Sequence, residues 1–307
     1  IWSPWQVAHT MGKGECPMNF KIEDAQDRSL IAVRSKVKRD AAKQTAKVVT
    51  QSIANTLLSL AVVLVLWVFA LWAFDVTPYI GKGPLDVFNW LFMVESAAEN
   101  QALVAQALGE TMLDAGIGFA FGLFFATLVS VLFTLFKSVE QALMPIAMLL
   151  RSVPLIAMAP ILILIFGREQ VTVAVMGAIV VLFPALVNIV FGLRSASAAT
   201  LDVAAVYGAN KLAALRYVAF PSSLPSFFAA VKISVPGAIT GALLVEWLAT
   251  GQGIGYGIIS AVGRAKTNEV WAYVVVITLV SIVLYNLIGL LETYVMKRFS
   301  PQVWKAR

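Results

Sequence analysis

Four stretches of the sequence each run for more than twenty residues without a charged side chain, and they constrain the fold more than any other feature. They lie at 52–74, 115–136, 171–193 and 270–291. A helix needs about 20 mainly apolar residues to cross the hydrocarbon core of a bilayer. Each stretch therefore predicts a membrane-spanning helix, and a disordered chain or a soluble nucleic-acid-binding domain is excluded.

Two further stretches are apolar but interrupted. The stretch 142–167 contains Arg151 and three prolines, and the stretch 222–248 contains Lys232, Glu246 and two prolines. Prolines are tolerated in membrane helices where neighbouring helices or water satisfy the carbonyl groups that they free, so we expect both stretches to face protein rather than lipid. The sequence thus predicts an all-α integral membrane protein with six transmembrane helices.

The basic residues are distributed unevenly about these six spans. An even number of spans places both termini on one side, and that side receives nineteen of the 23 lysines and arginines. Because basic residues concentrate on the cytoplasmic side of membrane proteins, we expect both termini in the cytoplasm. The predicted domains are a cytoplasmic N-terminal extension at 1–50, a transmembrane domain at 51–300 and a cytoplasmic tail at 301–307. Residues 29–50 fit either a helix on the inner membrane surface or a solvated extension.

Residue counts and motif spacing exclude most catalytic and metal-binding chemistry. A single cysteine, Cys16, and a single histidine, His9, leave no intrachain disulfide, histidine-based triad or two-histidine metal site. The Gly-Lys-Gly triplets at 12–14 and 81–83 lack the other residues of a phosphate-binding loop, and the glycine-rich segment 251–257 follows a span rather than a strand. We therefore expect a chain that is not an enzyme and holds no cofactor or metal, with 251–257 as a flexible turn or a gate.

The second span carries small residues at every fourth position. Small residues at this spacing let two membrane helices approach closely, although such residues are common in membrane helices in general. We expect a packing seam made by Gly118, Gly122, Ala126 and Ser130.

Few polar groups lie within the spans. Glu246 follows thirteen uncharged residues, and an ionisable group in a span is costly and often functional; the alternative is a solvated position at the outer membrane surface. For the other polar side chains, hydrogen bonding between helices is the alternative to a place on a translocation path. The path candidates are Glu246, Asn188, Ser234, Thr240, Pro154 and Pro160.

The longest connection on the predicted cytoplasmic side, 194–221, has the pattern of two short helices. Small apolar residues surround Asp202 and again follow Lys211, while Gly208 and Asn210 interrupt the pattern between them, as these residue types do at the C-terminal ends of helices. Helices rich in small residues suit a groove on a partner protein. An ordinary amphipathic loop is the alternative.

The spacing within this connection resembles the cytoplasmic signature of permease subunits from binding-protein-dependent ABC importers. In that signature Glu-Ala-Ala is followed by three residues, a glycine, nine residues and Ile-x-Leu-Pro. Here Ala204, Gly208 and Pro221 match outright. The departures, each of which keeps charge or apolar character, are Asp202, Val203, Val218 and Phe220.

Other segments resemble the nitrate, sulfonate and taurine branch of these permeases. They are 151–160 with its two prolines six apart, the Phe-Gly pair at 166–167, the Phe-Pro pair at 183–184 and the acidic-to-glycine segment 246–256. Asp114 stands where the branch usually has a basic residue. The resemblance covers about residues 105–300, with the segments in the expected order.

The resemblance implies a type I importer fold and its partners. Two ABC ATPase subunits, which carry ATP and Mg²⁺, would dock on the 202–221 loop, and an extracytoplasmic solute-binding protein would deliver the solute. A second permease subunit, expected to be identical, would complete the path in the bacterial inner membrane. The implied loop residues are Asp202, Ala204, Ala205, Gly208, Ala209, Lys211, Val218 and Pro221.

The implied substrate is a small organic or inorganic anion, such as a sulfonate, taurine, nitrate or bicarbonate, or a small heterocycle. The alternative function is a secondary transporter or channel that is not driven by ATP. Such a protein needs ionisable groups or coupling-ion ligands near the middle of the membrane, and the sequence offers only Glu246 and Asp114.

Overall fold

The computed structural model describes residues 50–51 and 54–299, and the chain divides into two compact units, residues 1–65 and 66–307. The extension predicted at 1–50, apart from its last residue, and the tail at 301–307 lie outside the described residues. Every regular element in the described part is helical. In chain order they are α1 (Ala54–Ala73), α2 (Pro84–Phe92), α3 (Ala97–Leu135), α4 (Lys137–Ser152), α5 (Leu155–Phe166), α6 (Gln170–Leu193), α7 (Ala198–Val206), α8 (Lys211–Ala214), the π-helical turn π1 (Leu215–Ala219), α9 (Phe220–Val245), the π-helical turn π2 (Glu246–Thr250), α10 (Gly253–Gly263) and α11 (Thr267–Phe299).

Five helical segments of the described chain are long and apolar enough to cross a membrane. They are α1, α3, α6, the continuous segment Lys211–Thr250 and residues Thr267–Lys297 of α11. The predicted all-α membrane fold is therefore confirmed, and each of these segments covers all or nearly all of one predicted span. The count of six stays a prediction, because the remaining span, 142–167, forms two shorter helices.

The break between α4 and α5 lies at Val153–Pro154. Proline has no N–H group to donate to the preceding turn, and its ring disfavours a helical conformation of the residue before it. Pro160, by contrast, lies inside α5, and Pro184 lies inside α6. One proline thus divides the predicted third span, while others are absorbed within helices.

The second long helix, α3, begins well before its predicted span at 115–136. It has 39 residues, which corresponds to about 58 Å at ~1.5 Å per residue and exceeds the ~30 Å hydrocarbon core. The additional turns at its start carry Glu110 and Thr111. This extension brings polar side chains of α3 level with the end of α9.

The packing seam predicted along α3 is confirmed. Its four small residues are buried. A Cβ atom added to Gly118 would lie 2.8 Å from Cα of Gly177 in α6, and one added to Gly241 of α9 would lie 3.2 Å from the same atom. Hydrogen at these positions lets the backbones of α3, α6 and α9 meet, so the seam forms the centre of the helical core.

The first long helix differs from the others because none of its membrane-length window is buried. Its large apolar side chains are exposed along its length, Leu58 and Trp72 among them. A helix that is apolar all round is suited to lipid. Within the second unit, the Trp67 ring stacks on Trp271 at 5.2 Å between centroids.

Candidate functional site

The connection 194–221, here called the two-helix loop, is ordered by its own capping residues. Thr200 N donates to Ser197 Oγ at 3.2 Å at the start of α7. Ala213 N donates to Asn210 Oδ1 at 2.8 Å at the start of α8. Side-chain oxygens of this kind satisfy N–H groups that have no partner within the helix. Asn210 therefore caps the start of the second helix. The sequence interpretation, which placed Asn210 at the C-terminal end of a helix, was wrong, because its side-chain oxygen accepts a hydrogen bond from the first turn of α8.

Gly208 ends the first helix of the loop, as expected. Its φ of +80° lies in the left-handed region that glycine adopts without strain. Gly208 N donates to Ala205 O at 2.9 Å, and Ala209 N donates to Ala204 O at 3.0 Å. These bonds satisfy carbonyl groups at the end of α7 and turn the chain towards α8.

The two-helix loop presents apolar side chains outward. No residue of α7 or α8 is buried. Val206 is 86% exposed and Tyr207 88% exposed. Asp202, Ala205, Gly208 and Lys211 are exposed as well, while Ala204, Ala209, Val218 and Pro221 are partly buried. Exposed apolar groups on an ordered polar loop are typical of a protein-binding surface.

The base of the two-helix loop is held to three helices. Arg194 forms an ion pair with Glu140 of α4. Ser195 Oγ donates to Gly192 O at 2.7 Å. A Cβ atom on Gly192 would lie 2.6 Å from Cβ of Ser226 in α9, so α6 and α9 touch directly below the loop. The base of the loop therefore contacts α4, α6 and α9.

The structure does not bring the path candidates into one polar site. Asn188 Nδ2 donates to Pro184 O at 2.8 Å, and Thr240 Oγ1 donates to Pro236 O at 2.9 Å, each within its own helix. Ser234 is buried, and its hydroxyl has no hydrogen-bond partner in the described chain. The hydrogen bonds of Asn188 and Thr240 in this structure thus run within a helix, to the carbonyl group four residues earlier, rather than between helices.

One of the two proline candidates lies beside a cavity. Pro154 lines a space of about 320 Å³ together with Phe183 and Pro184. The cavity lies where α4 and α5 break against α6. Pro160 is exposed on α5. The resembling segments 151–160 and 183–184 thus meet in space around this cavity.

Glu246 has no exposed surface, so the alternative of a solvated position is wrong. Its Oε2 accepts hydrogen bonds from Thr111 Oγ1 of α3 at 2.9 Å and from Gly255 N of α10 at 2.8 Å. Thr111 Oγ1 in turn accepts from Ile254 N at 2.8 Å. Glu110 Oε2 accepts from Gly253 N at 2.7 Å. We call Glu110, Thr111, Glu246, Gly253 and Gly255 the carboxylate junction.

The glycines of 251–257 make room for this junction. A Cβ atom on Gly253 would overlap the Glu246 carboxylate, and one on Gly255 would overlap Leu243 O. Gly251 and Gly253 also have positive φ values of 71° and 79°. Glycine at these positions is therefore required for the start of α10 to lie against Glu246.

Sequence reasoning did not identify Glu110 and Thr111 as partners of Glu246. The only signal was their place just before the second span, where Glu110 and Thr111 lie on the same side of the predicted membrane as Glu246. In the described residues, no group of three or more histidine, cysteine, aspartate or glutamate side chains is arranged to hold a metal ion.

Comparison with protein families gives one match, which covers three fifths of the chain. Residues 118–301 match the model described as "Binding-protein-dependent transport system inner membrane component". The matched range contains the two-helix loop and all helices from α4 onward. It agrees with the range over which the sequence resembles ABC importer permeases.

Individual relatives carry compatible names. A probable ABC transporter permease protein of Haemophilus influenzae is 28% identical over 229 residues, 75% of this chain and 91% of the relative. The riboflavin transport system permease protein RibX of Chloroflexus aurantiacus is 35% identical, over 50% of this chain and 57% of the relative. The formylaminopyrimidine transport permease protein ThiX of Halalkalibacterium halodurans is 30% identical, over 58% and 70%. Further relatives are named for aliphatic sulfonates, nitrate and taurine.

Proposed function

The chain belongs to the family of binding-protein-dependent transport system inner membrane components, and we propose that ATPase subunits drive it by docking on the two-helix loop. The protein is a multi-pass permease subunit of an ABC importer of the nitrate, sulfonate and taurine type. Such permeases work with ATPase subunits and a solute-binding protein. An ATP-independent transporter or channel is not favoured.

One observation carries the docking proposal: the two-helix loop is exposed while its backbone is held by its own capping and turn hydrogen bonds. Its backbone is fixed by Ser197, Asn210 and Gly208, whereas Val206 and Tyr207 are almost fully exposed. Ordering of this kind lowers the entropy cost of binding a partner. The base of the loop rests on α4, α6 and α9, so the loop can pass movement of a partner to the helices around the Pro154 cavity.

The composition of the assembly is part of the proposal. Two ATPase subunits carrying ATP and Mg²⁺ act on a pair of permease subunits, the second being another copy of this chain. Both termini lie in the cytoplasm, as the distribution of basic residues favours. The chain itself holds no cofactor and catalyses no reaction.

The proposed solute is a small organic or inorganic anion or a small heterocycle. The names of relatives support both classes, since they include sulfonates, nitrate and taurine as well as a pyrimidine and riboflavin. Residues near the Pro154 cavity, with Asn188 on α6 and Thr240 on α9, are the proposed contacts along the path. Ser234 is buried and makes no such contact in this conformation.

The docking proposal is tested by the nucleotide hydrolysis that co-purifies with a tagged chain from native membranes. Asp202→Lys reverses a charge on the exposed face of α7, and we expect at least a tenfold loss of co-purifying ATP hydrolysis. Glu95→Lys makes the same charge change at another exposed acidic position and serves as the matched control. Equal activity with both variants would contradict docking at α7.

A further inference from the structure

Glu246 lies at a junction that no solute-binding or docking role explains. Its carboxylate is completely buried and joins three elements of the chain: α3 through Thr111, the end of α9 through π2, and α10 through Gly255. It has no open surface from which to contact a solute. The whole of α9, 26 residues or about 39 Å, separates it from the two-helix loop.

The helix that leads to Glu246 is bounded by π turns at both ends. π1 precedes α9 directly after the two-helix loop, and π2 follows α9 with Glu246 as its first residue. π-helical turns are rare and occur frequently at functional sites and as local irregularities in helices. Between them, α9 is continuous despite Pro225 and Pro236. The fifth span is therefore one continuous helix, with a π-helical turn next to the two-helix loop and another at the carboxylate junction.

The bonding of Glu246 is incomplete. Oε2 accepts two hydrogen bonds, but Oε1 has no partner in the described part of the chain. A buried polar group without a partner is costly, and such groups in native proteins call for a specific explanation. Apolar residues of the same volume would hold three helices together without this cost. A permanent structural contact therefore does not account for a carboxylate here.

A polar contact differs from an apolar one in how it separates. When water enters, the Thr111 hydroxyl, the Gly255 N–H group and the Glu246 carboxylate all exchange their mutual hydrogen bonds for bonds to water, so the net cost of separation is small. Separating an apolar contact exposes its whole surface to water. The carboxylate junction is thus suited to a contact that opens and closes repeatedly.

We propose that Glu246 is a positioning residue of the transport cycle, whose carboxylate holds the loop-distal end of α9 against α3 and α10 until ATP binding at the two-helix loop draws α9 away. Thr111 and Gly255 supply the two donors of this contact. Gly253 and Gly255 let α10 approach, and Glu110 holds the first N–H group of α10. The carboxylate junction is the part of the chain that separates when that end of the path opens.

The test measures whether buried positions near the junction become accessible. In a Cys16→Ser background, Val245→Cys places a thiol of similar size beside Glu246, at a position with no exposed surface. Val181→Cys places one at an equally buried position in the seam between α3 and α6. The rate of labelling by a small maleimide is measured on the full chain with its ATPase subunits, with and without ATP.

We expect ATP to raise labelling at Val245→Cys about tenfold and to leave Val181→Cys unchanged. Glu246→Met, which keeps about the size of the side chain but removes both oxygen acceptors, leaves the Thr111 hydroxyl and the Gly255 N–H group buried without a partner. It should therefore raise labelling at Val245→Cys to a similar level without ATP, so that ATP adds little. If Glu246 only stabilised the fold, labelling at Val245→Cys would not depend on ATP. The substitution at Glu246 would then have no ATP dependence to remove.

Three results would overturn the proposal: no effect of ATP on Val245→Cys in the parent, no effect of Glu246→Met on it, or an equal rise at Val181→Cys. The ATP arm rests on the proposed docking function, whereas the Glu246→Met arm without ATP does not. If Asp202→Lys retains its ATPase subunits, docking fails while the junction stands; if labelling is unchanged by Glu246→Met, the junction fails while docking stands.

Discussion

The two-helix loop and the carboxylate junction lie at opposite ends of α9 and are built in opposite ways. The loop exposes apolar side chains such as Val206 and Tyr207 and fixes its backbone by caps. The junction buries an ionisable side chain, Glu246, and fixes it by hydrogen bonds to other helices. Each arrangement is unfavourable for a free-standing protein. Under the two proposals, the loop is completed by another protein and the junction by another state of the same chain.

The largest difference between the two regions is expected when a methyl group is added to one glycine in each. Gly255→Ala would place Cβ against Leu243 O and the Glu246 side chain, and we expect it to lower the free energy of unfolding by about 3 kcal/mol. Gly208→Ala meets no atom within 4 Å and carries only the strain of its left-handed backbone, about 1 kcal/mol. Denaturant titration in detergent micelles measures both. Equal losses would show that the start of α10 is not tightly packed.

Removing the hydroxyl at the junction comes next in size. Thr111→Val eliminates the donor to Glu246 and the acceptor for Ile254 N, and both partners are left buried, so we expect a loss of about 2 kcal/mol. Thr240→Val is the control, because Thr240 is exposed and bonds only within its own helix; its cost should stay below about 0.5 kcal/mol. The same unfolding titration checks both variants. A Thr111→Val protein as stable as the control would mean that the junction is not held by these bonds.

On the loop, removal of an apolar group should leave stability unchanged and weaken partner binding. Tyr207→Ser alters a side chain that is 88% exposed, so the free energy of unfolding should shift by less than about 0.5 kcal/mol. The affinity for the ATPase subunits should fall about tenfold, which corresponds to ~1.4 kcal/mol. Binding is measured by titration of the ATPase subunits onto immobilised permease. A destabilised protein with normal binding would reverse the contrast between the two regions.

The smallest effect is expected at the base of the loop. Arg194 pairs with Glu140, but the Arg194 side chain is 49% exposed. Exposed ion pairs contribute about 0–1 kcal/mol, so Arg194→Gln should lower the free energy of unfolding by no more than that. The difference in free energy of unfolding between the parent and Arg194→Gln should change little with salt concentration. A larger loss of stability would mean that the base of the loop, like the junction, is held together mainly by polar contacts.

The sequence predicted the elements whose signals are local. Uncharged runs located four of the five long helical segments, spacing located the seam at Gly118, and Gly208 located the turn in the loop. Whether a proline breaks a helix was not predictable, because Pro154 breaks one whereas Pro160 and Pro184 do not. The outcome depends on which neighbouring groups satisfy the freed carbonyl.

Contacts across the chain were the other part that the sequence did not provide. Glu110 and Gly253 are 143 positions apart in the sequence, and no local sequence pattern predicts their contact. The pairing of Lys232 with Glu292 of α11 was likewise not foreseen from the sequence. In both cases the way the helices pack decides which residues meet. That packing depends on where glycines let the helices approach, and not on the charges of the residues that meet.

The central claim is that ATPase subunits bind the two-helix loop in the conformation set by Gly208, and the affinity of these subunits for two variants tests it most directly. Gly208→Pro cannot adopt the φ of +80°, because the proline ring fixes φ near ~−65°, whereas Gly208→Ala can reach it at a modest cost. We predict that Gly208→Ala binds the ATPase subunits with nearly parental affinity and that Gly208→Pro, inserted equally well into the membrane, does not bind them. Equal binding by both variants would contradict the claim.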